Sequence, residues 1–366
     1  MPEIWVPYGS VETLLTIQAE NLGTVVEPSD DQKSYQPEKL ADSVRKTGSL
    51  FVCDARPATV QLLKEVVSLL GSGESPLILS PDAKRVESLA PELRGRVVTA
   101  QRQPGGADGA ASYSSEVTAA GVKIFMATAQ PDPLFGIVDA KVAACLNWVG
   151  NAARIGAQKA GDLAPAPFVK TPAYESAEEL AGRIPQSSFV TVVPRSGKAW
   201  SVCEDAPFDV ISNGFYSAAV PPARALVVGA GGTGYDDTLS GALRLVWGSL
   251  GCVRRSGEVL ILAECAGGLG SRALEMLVSG RLAGEAGRRR ERYVDGLEEV
   301  EYLERLKKDY DVLLLSGLPE LYAKSKIGVG SAKGSGEALG KLLNKLGRTS
   351  KVNVVTRASE CRVSSA

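Results

Sequence analysis

Short apolar runs alternating with helical patterns constrain this 366-residue chain more than any other feature. Ser49 to Cys53, Pro76 to Leu79, Val122 to Ala127, Glu258 to Glu264, Asp311 to Ser316 and Lys351 to Val355 each read as a short strand, and Ala225 to Val228 is a further apolar run. Helical patterns fall between them, over Ala58 to Leu70, Asp237 to Leu250, Ser271 to Ser279, Glu298 to Lys308 and Gly336 to Leu346. Parallel neighbours in a sheet need a crossover, usually a helix, so this order predicts an α/β protein of βαβ units with mainly parallel sheets. Val11 to Ile17, after the Pro7-Tyr8-Gly9 turn, reads as an opening hairpin or strand. Phe189 to Val193 and Ala199 to Cys203 flank Arg195-Ser196-Gly197-Lys198 as a second hairpin, and the Gly-, Ala- and Ser-rich stretch Gln101 to Ser115 reads as an exposed loop. The length suits two domains, which we place at 1–205 and 206–366.

Chemistry is constrained by an absence: the chain contains no histidine. Histidine is the usual proton shuttle near neutral pH and the commonest metal ligand. Serine–histidine and cysteine–histidine triads and histidine-ligated zinc are therefore excluded. Acid–base work would fall to Asp, Glu, Lys, Tyr or Cys. The six cysteines are widely spaced, with no Cys-x-x-Cys pair, and read as small buried hydrophobes. A formal net charge of −1 gives no reason to expect nucleic acid, and the run Arg288-Arg289-Arg290 reads as a solvated face. No apolar run approaches the roughly 20 residues of a membrane span, and the N-terminus lacks a signal-peptide pattern, so a cytoplasmic location is expected.

Three segments carry candidate chemistry. Gly229-x-Gly231-x-x-Gly234 follows an apolar run and opens a helical pattern, the context of a dinucleotide fingerprint, with Glu264 at the end of the next strand. The spacing to Glu264 exceeds the usual ~20 residues. Asp236 and Asp237 oppose a phosphate there and suit a capped strand-to-helix turn. Asp54-Ala55-Arg56-Pro57 lies where a strand meets a helix, the end at which ligands gather. An arginine there grips a carboxylate bidentately, and an aspartate can orient it; the plain alternative is a helix cap with an ion pair. Finally, Lys141 follows Gln130-Pro131-Asp132-Pro133-Leu134-Phe135-Gly136 and is either a buried base or anchor, or an ordinary solvated lysine.

Taken in order, these segments resemble the lactate racemase family, whose members carry a nickel-pincer nucleotide. Val6-Pro7-Tyr8-Gly9 and Asn21-Leu22-Gly23 resemble its N-terminal strand and turn. Asp54-Ala55-Arg56-Pro57 is similar to its Asp-x-Thr-Arg-Pro motif, one residue shorter. Gly231-Gly232-x-x-x-Asp236 resembles its Gly-Gly-x-Pro-x-Asp segment, and Gly257 to Ile261 with Gly267-Gly268-Leu269-Gly270 resembles the strand and loop that follow. The resemblance implies two α/β domains with a cleft between them, and racemisation of a 2-hydroxy acid by removal and return of hydride. It also implies a lysine that carries the cofactor, a nickel-ligating histidine and two histidines that exchange the hydroxyl proton. Here the lysine falls near Lys141, the nickel ligand on Trp148 after Asn147, and one catalytic histidine near Asp132.

Three readings follow. In the first, a divergent racemase-like protein binds or isomerises a small 2-hydroxy acid or related carboxylate without the usual nickel chemistry. Arg56, Gly231 and Gly232 would bind the acid, while Asp54, Asp132, Asp236 and Lys141 would act on its protons or polarise it. Lys141, Gly229 and Gly234 are the candidate cofactor contacts, and no residue is assigned to a metal. In the second, the glycine loop binds NAD(P) or another nucleotide. In the third, the fold is an inherited scaffold or assembly subunit without catalysis. The oligomeric state and any partner are left open.

Overall fold

The computed structural model describes residues 2–29, 35–71, 76–100, 119–149, 163–196, 198–282, 294–346 and 350–366. The loop expected at 101–115 and the arginines at 288–290 lie outside the described residues. Contacts divide the chain into two compact units. A terminal unit combines Met1–Ser29, Pro131–Pro133 and Tyr216–Ala366, and a middle unit combines Asp30–Gln130 and Leu134–Phe215.

The terminal unit differs from the single cut expected at 205/206, for a reason visible in the strands. Strands β1 (Glu3–Tyr8) and β2 (Val11–Thr16) form an antiparallel hairpin. Strand β3 (Leu22–Val26) then pairs with a strand close to the other end of the chain, Val352 facing Leu22 and Val355 facing Val26. Ile4, Val6, Leu15 and Ile17 share one apolar cluster with Val227, Leu260 and Leu313. The opening residues thus complete a core whose other strands come more than 190 residues later in the chain, which no local pattern encodes.

In the middle unit, a six-stranded sheet has the order β11-β10-β7-β4-β5-β6. Its strands are β4 (Ser49–Val52), β5 (Leu77–Ser80), β6 (Val97–Thr99), β7 (Lys123–Thr128), β10 (Ser187–Arg195) and β11 (Lys198–Glu204). All pairs are parallel except the β10–β11 hairpin, where Arg195 faces Lys198 as the turn sequence predicts. Alternate side chains feed two cores. Leu50, Val52, Ile124 and Met126 pack with helices α1 (Pro37–Thr47) and α2 (Pro57–Leu70) on one face. Phe51, Cys53, Phe125 and Ala127 pack on the other, with α4 (Ala140–Ala144) and α5 (Pro172–Gly182); α3 (Ala83–Leu89) follows β5. Burial on both faces explains why β4 and β7 read as continuous apolar runs. Phe208, Val210 and Ile211 lie in a helix, α6 (Phe208–Gly214). Short strands β8 (Gln130–Asp132) and β9 (Gly136–Val138) follow β7.

The terminal unit's main sheet is fully parallel, in the order β16-β15-β14-β13-β17-β3. Its remaining strands are β13 (Ala223–Gly229), β14 (Val253–Leu262), β15 (Asp311–Leu315), β16 (Gly330–Ala332) and β17 (Val352–Val355). A small parallel ribbon joins β12 (Tyr216–Val220) and β18 (Cys361–Ser365). Helices α7 (Leu239–Val246), α8 (Arg272–Val278), α9 (Leu297–Asp309) and α10 (Ser335–Leu346) complete the unit. The helix expected to reach Leu250 is shorter, because it tightens into 3-10 turns over Trp247–Cys252. Among the described residues, no helix is long and apolar enough to cross a membrane.

Candidate functional site

In the middle unit the strand order turns back between β4 and β7: the chain after β4 runs to β5 on one side, and the chain after β7 runs to β10 on the other. Ligands of open parallel sheets bind in the crevice beyond the strand ends at such a point. Asp54 and Arg56 sit there. One Asp54 oxygen accepts the Arg56 N–H (3.1 Å) and the other accepts the Thr128 N–H (2.7 Å), joining the ends of the two strands. The Thr59 and Thr128 hydroxyls meet at 2.5 Å beside them. Enclosure of the Asp54 carboxyl raises its pKa, and the nearby Arg56 charge and these N–H groups oppose that rise only in part. Asp54 thus fixes the backbone at the N-cap of α2, where Arg56 is part-exposed.

Two further expected positions in this unit lie in other surroundings. The Lys141 ammonium is ion-paired with Glu178 (2.8 Å), and the Ala206 carbonyl accepts from it at 3.3 Å. Trp148 is fully buried, edge-on to Phe51 at 5.3 Å and tilted against Phe125 at 5.5 Å. Asn147 donates its amide to the Cys53 carbonyl (2.8 Å), tying this segment to the base of the Asp54 loop. A nickel-pincer nucleotide does not fit these residues: the position of its metal ligand is an indole in the aromatic core, and the lysine is engaged by a carboxylate. Among the described residues no cluster of three or more His, Cys, Asp or Glu is arranged to hold a metal.

In the terminal unit the strand order turns back between β13 and β17, and that crevice is filled by the chain itself. A Cβ on Gly229 would strike Val6 and the Thr356 carbonyl, and one on Gly231 would strike the Ser359 hydroxyl. The loop amides also have protein partners. Thr233 N–H donates to the Gly9 carbonyl (2.8 Å), Ala230 N–H to Leu262 (3.1 Å), and Gly234 N–H to the Asp237 carboxylate (3.1 Å). The glycines permit close packing of β1 and the post-β17 loop, and these three amides do not face a pyrophosphate. Asp236 is wholly buried; its Oδ2 accepts Gly9 N–H (2.7 Å) and, at 3.4 Å, Glu264 N–H, while Oδ1 has no hydrogen-bond partner. Burial raises the Asp236 pKa. Gly9 (φ +55°) is needed because a side chain there would overlap the Glu264 carboxylate. Tyr8, pushed up to about 12 by burial and then by Cys265, Glu264 and Asp236, completes an acidic group.

Asp132 lies elsewhere in the terminal unit, buried with its carboxylate 3.7 Å from the Arg244 guanidinium. Arg244 also holds the fully buried Glu299 (Nε to Oε1, 2.9 Å), to which the Ser240 hydroxyl donates at 2.7 Å. Sequence reasoning missed Arg244 and Glu299. The only local trace was an arginine inside one expected helix and acids opening another.

No protein-family model matches the chain, and no curated protein sequence does. Solved structures do. The chain superposes on the lactate racemase apoprotein from Thermoanaerobacterium thermosaccharolyticum with a TM-score of 0.73, covering 99% of this chain and 100% of that one at 14% identity. A protein from Thermotoga maritima gives 0.60 over 91% of this chain and 100% of its own length, at 12% identity. The chain has a lactate-racemase-like α/β fold with mainly parallel sheets.

Proposed function

We propose that this protein is a divergent relative of lactate racemases that binds, and in one form of the reading isomerises, a small 2-hydroxy acid or related carboxylate without nickel-pincer chemistry. The observation that carries the reading is Arg56 at the β4/β7 turning point, with its backbone fixed by an aspartate that also grips the neighbouring strand end. A guanidinium on a fixed backbone binds a carboxylate through two parallel hydrogen bonds, and the open N-terminus of α2 favours negative charge at the same place. Asp54 supports that pose. The Lys141–Glu178 ion pair and the buried Trp148 favour binding over the hydride transfer of nickel racemases.

Calorimetric titration with lactate, glycerate and other 2-hydroxy acids tests the reading. Saturable binding in the wild type, lost in Arg56→Gln with thermal unfolding unchanged, is the expected result. Absence of binding by every acid at millimolar concentration would overturn it, and so would binding that survives the substitution.

A further inference from the structure

We propose, on the carboxylate-binding reading of the β4/β7 turning point, that Gln130 receives the 2-hydroxyl of the bound acid and so selects 2-hydroxy acids over acids that lack the hydroxyl. The direction of the Gln130 side chain follows from the strand before it. Phe125, Ala127 and Ala129 pack in the cluster shared with α4 and α5, whereas Ile124 and Met126 pack with α2. Thr128 keeps this alternation, since its hydroxyl meets that of Thr59 on α2 (2.5 Å). Beyond the end of β7 the Ala129 N–H still donates to the Val192 carbonyl of β10 (2.7 Å), so the extended backbone continues to Gln130. Alternate residues of an extended chain share a face, which puts Gln130 on the α2 side, one step past Thr128.

That step brings Gln130 level with the start of the helix. From the Thr59–Thr128 contact, two strand residues advance the chain by about 6.6 Å, and the N-cap of α2 lies three helical residues, about 4.5 Å, before Thr59. The N-cap side chain makes no capping hydrogen bond, so Ala58 and Thr59 keep N–H groups that no residue of the helix answers. Backbone N–H groups at a helix start bind a carboxylate without help from a side-chain charge. Gln130 adds a second and independent mark of a ligand: it is only 5% exposed, and its Oε1 has no hydrogen-bond partner. A buried amide oxygen without a donor is costly, and a neutral hydroxyl on the carbon next to a seated carboxylate is a donor of the right reach. An acid without that hydroxyl leaves Oε1 as it is in the free protein.

The experiment titrates the full chain calorimetrically with lactate, pyruvate and propionate, which share a carboxylate and differ only at the second carbon. Lactate should bind about 10-fold or more tighter than propionate, because the deoxy acid leaves a buried acceptor unpaired. Pyruvate, whose second oxygen carries no proton, should resemble propionate. Gln130→Met keeps the length of the side chain and removes the amide. It should bring lactate down to the affinity of propionate and leave propionate unchanged. It should also unfold at the wild-type temperature or above, since Oε1 has no partner to lose. Gln130→Leu serves if methionine at this position does not fold, and the wild-type ratios are read in either case. Equal binding of lactate and propionate by the wild type overturns the assignment while the carboxylate reading stands, and so does pyruvate binding as tightly as lactate. A preference for lactate that survives the substitution, or equal weakening of all three acids by it, also overturns the role of Gln130. Absence of binding by any of the three removes the carboxylate reading as well.

Discussion

Each unit places an aspartate at the point where its strand order turns back, Asp54 half-buried and Asp236 buried, and the two sit in opposite electrostatic company. Asp54 joins β4 to β7 with the positive charge of Arg56 beside it. Asp236 ties the β1–β2 turn to the segment after β14 with no cation among the groups that shift it, beside Tyr8, Cys265 and Glu264. Elsewhere in the terminal unit, Arg244 is held by Glu299 and Asp132. The same topological device therefore has two outcomes. One turning point carries an arginine beside its aspartate, and the other is packed shut by Val6, Thr356 and Ser359. A parallel sheet offers a crevice wherever its order reverses, but the residues brought over that crevice decide whether it can receive anything.

The most disruptive way to probe the contrast is behind the middle-unit crevice. Trp148→His restores an imidazole where the family resemblance expects one, yet it replaces an indole packed on Phe51 and Phe125. We expect a loss of about 3–5 kcal/mol in urea unfolding, as for other large aromatic truncations, and no nickel by elemental analysis of purified protein. A variant of unchanged stability that copurifies with nickel would show that the aromatic cluster is a disguised metal site.

A smaller effect separates the two aspartates directly. Asp54→Ala leaves two backbone N–H groups without their acceptor and should cost about 2–4 kcal/mol. Asp236→Ala should cost about 1 kcal/mol less, because one of its bonds is long and its Oδ1 is already buried without a partner. Equal losses on chemical denaturation would erase the distinction drawn between the two turning points.

The smallest effect is in pH. Burial raises the Asp236 pKa in the folded state, so the neutral acid is the form that folding favours. The associated stability is fully present below the ordinary aspartate value of 3.8 and is lost as pH rises through the raised one. Asp236→Asn imitates the neutral acid. Its stability relative to wild type should therefore be flat in strong acid and climb toward neutrality, followed by thermal unfolding from about pH 3 to pH 8. A difference that stays constant, or falls with pH, would mean that the Asp236 carboxylate is better solvated than its enclosure suggests.

Much of the architecture was legible in the sequence because burial on both faces leaves an unmistakable apolar run. β4, β7, α2 and β17 lie within one or two residues of their expected limits. The Asp54–Arg56 pair was legible too, since a polar motif stands out where such a run meets a helix. The glycine motif was harder. Glycine admits close approach by any neighbour, and a sequence does not say whether that neighbour is a pyrophosphate or the chain's own Val6 and Ser359. Arg244 and Glu299 were not legible, because nothing local to either residue encodes the contact between them.

Sequence alone determined the class of fold and the exclusion of imidazole chemistry, because the period of apolar residues and the absence of a side chain are local facts. Tertiary structure alone decided that the opening hairpin belongs with the last strands and that Trp148 is core. It also decided that the glycine loop beside Asp236 is packed against the chain's own Val6, Thr356 and Ser359. These are outcomes of contacts between residues far apart in the chain, whose geometry exists only once the sheets have formed.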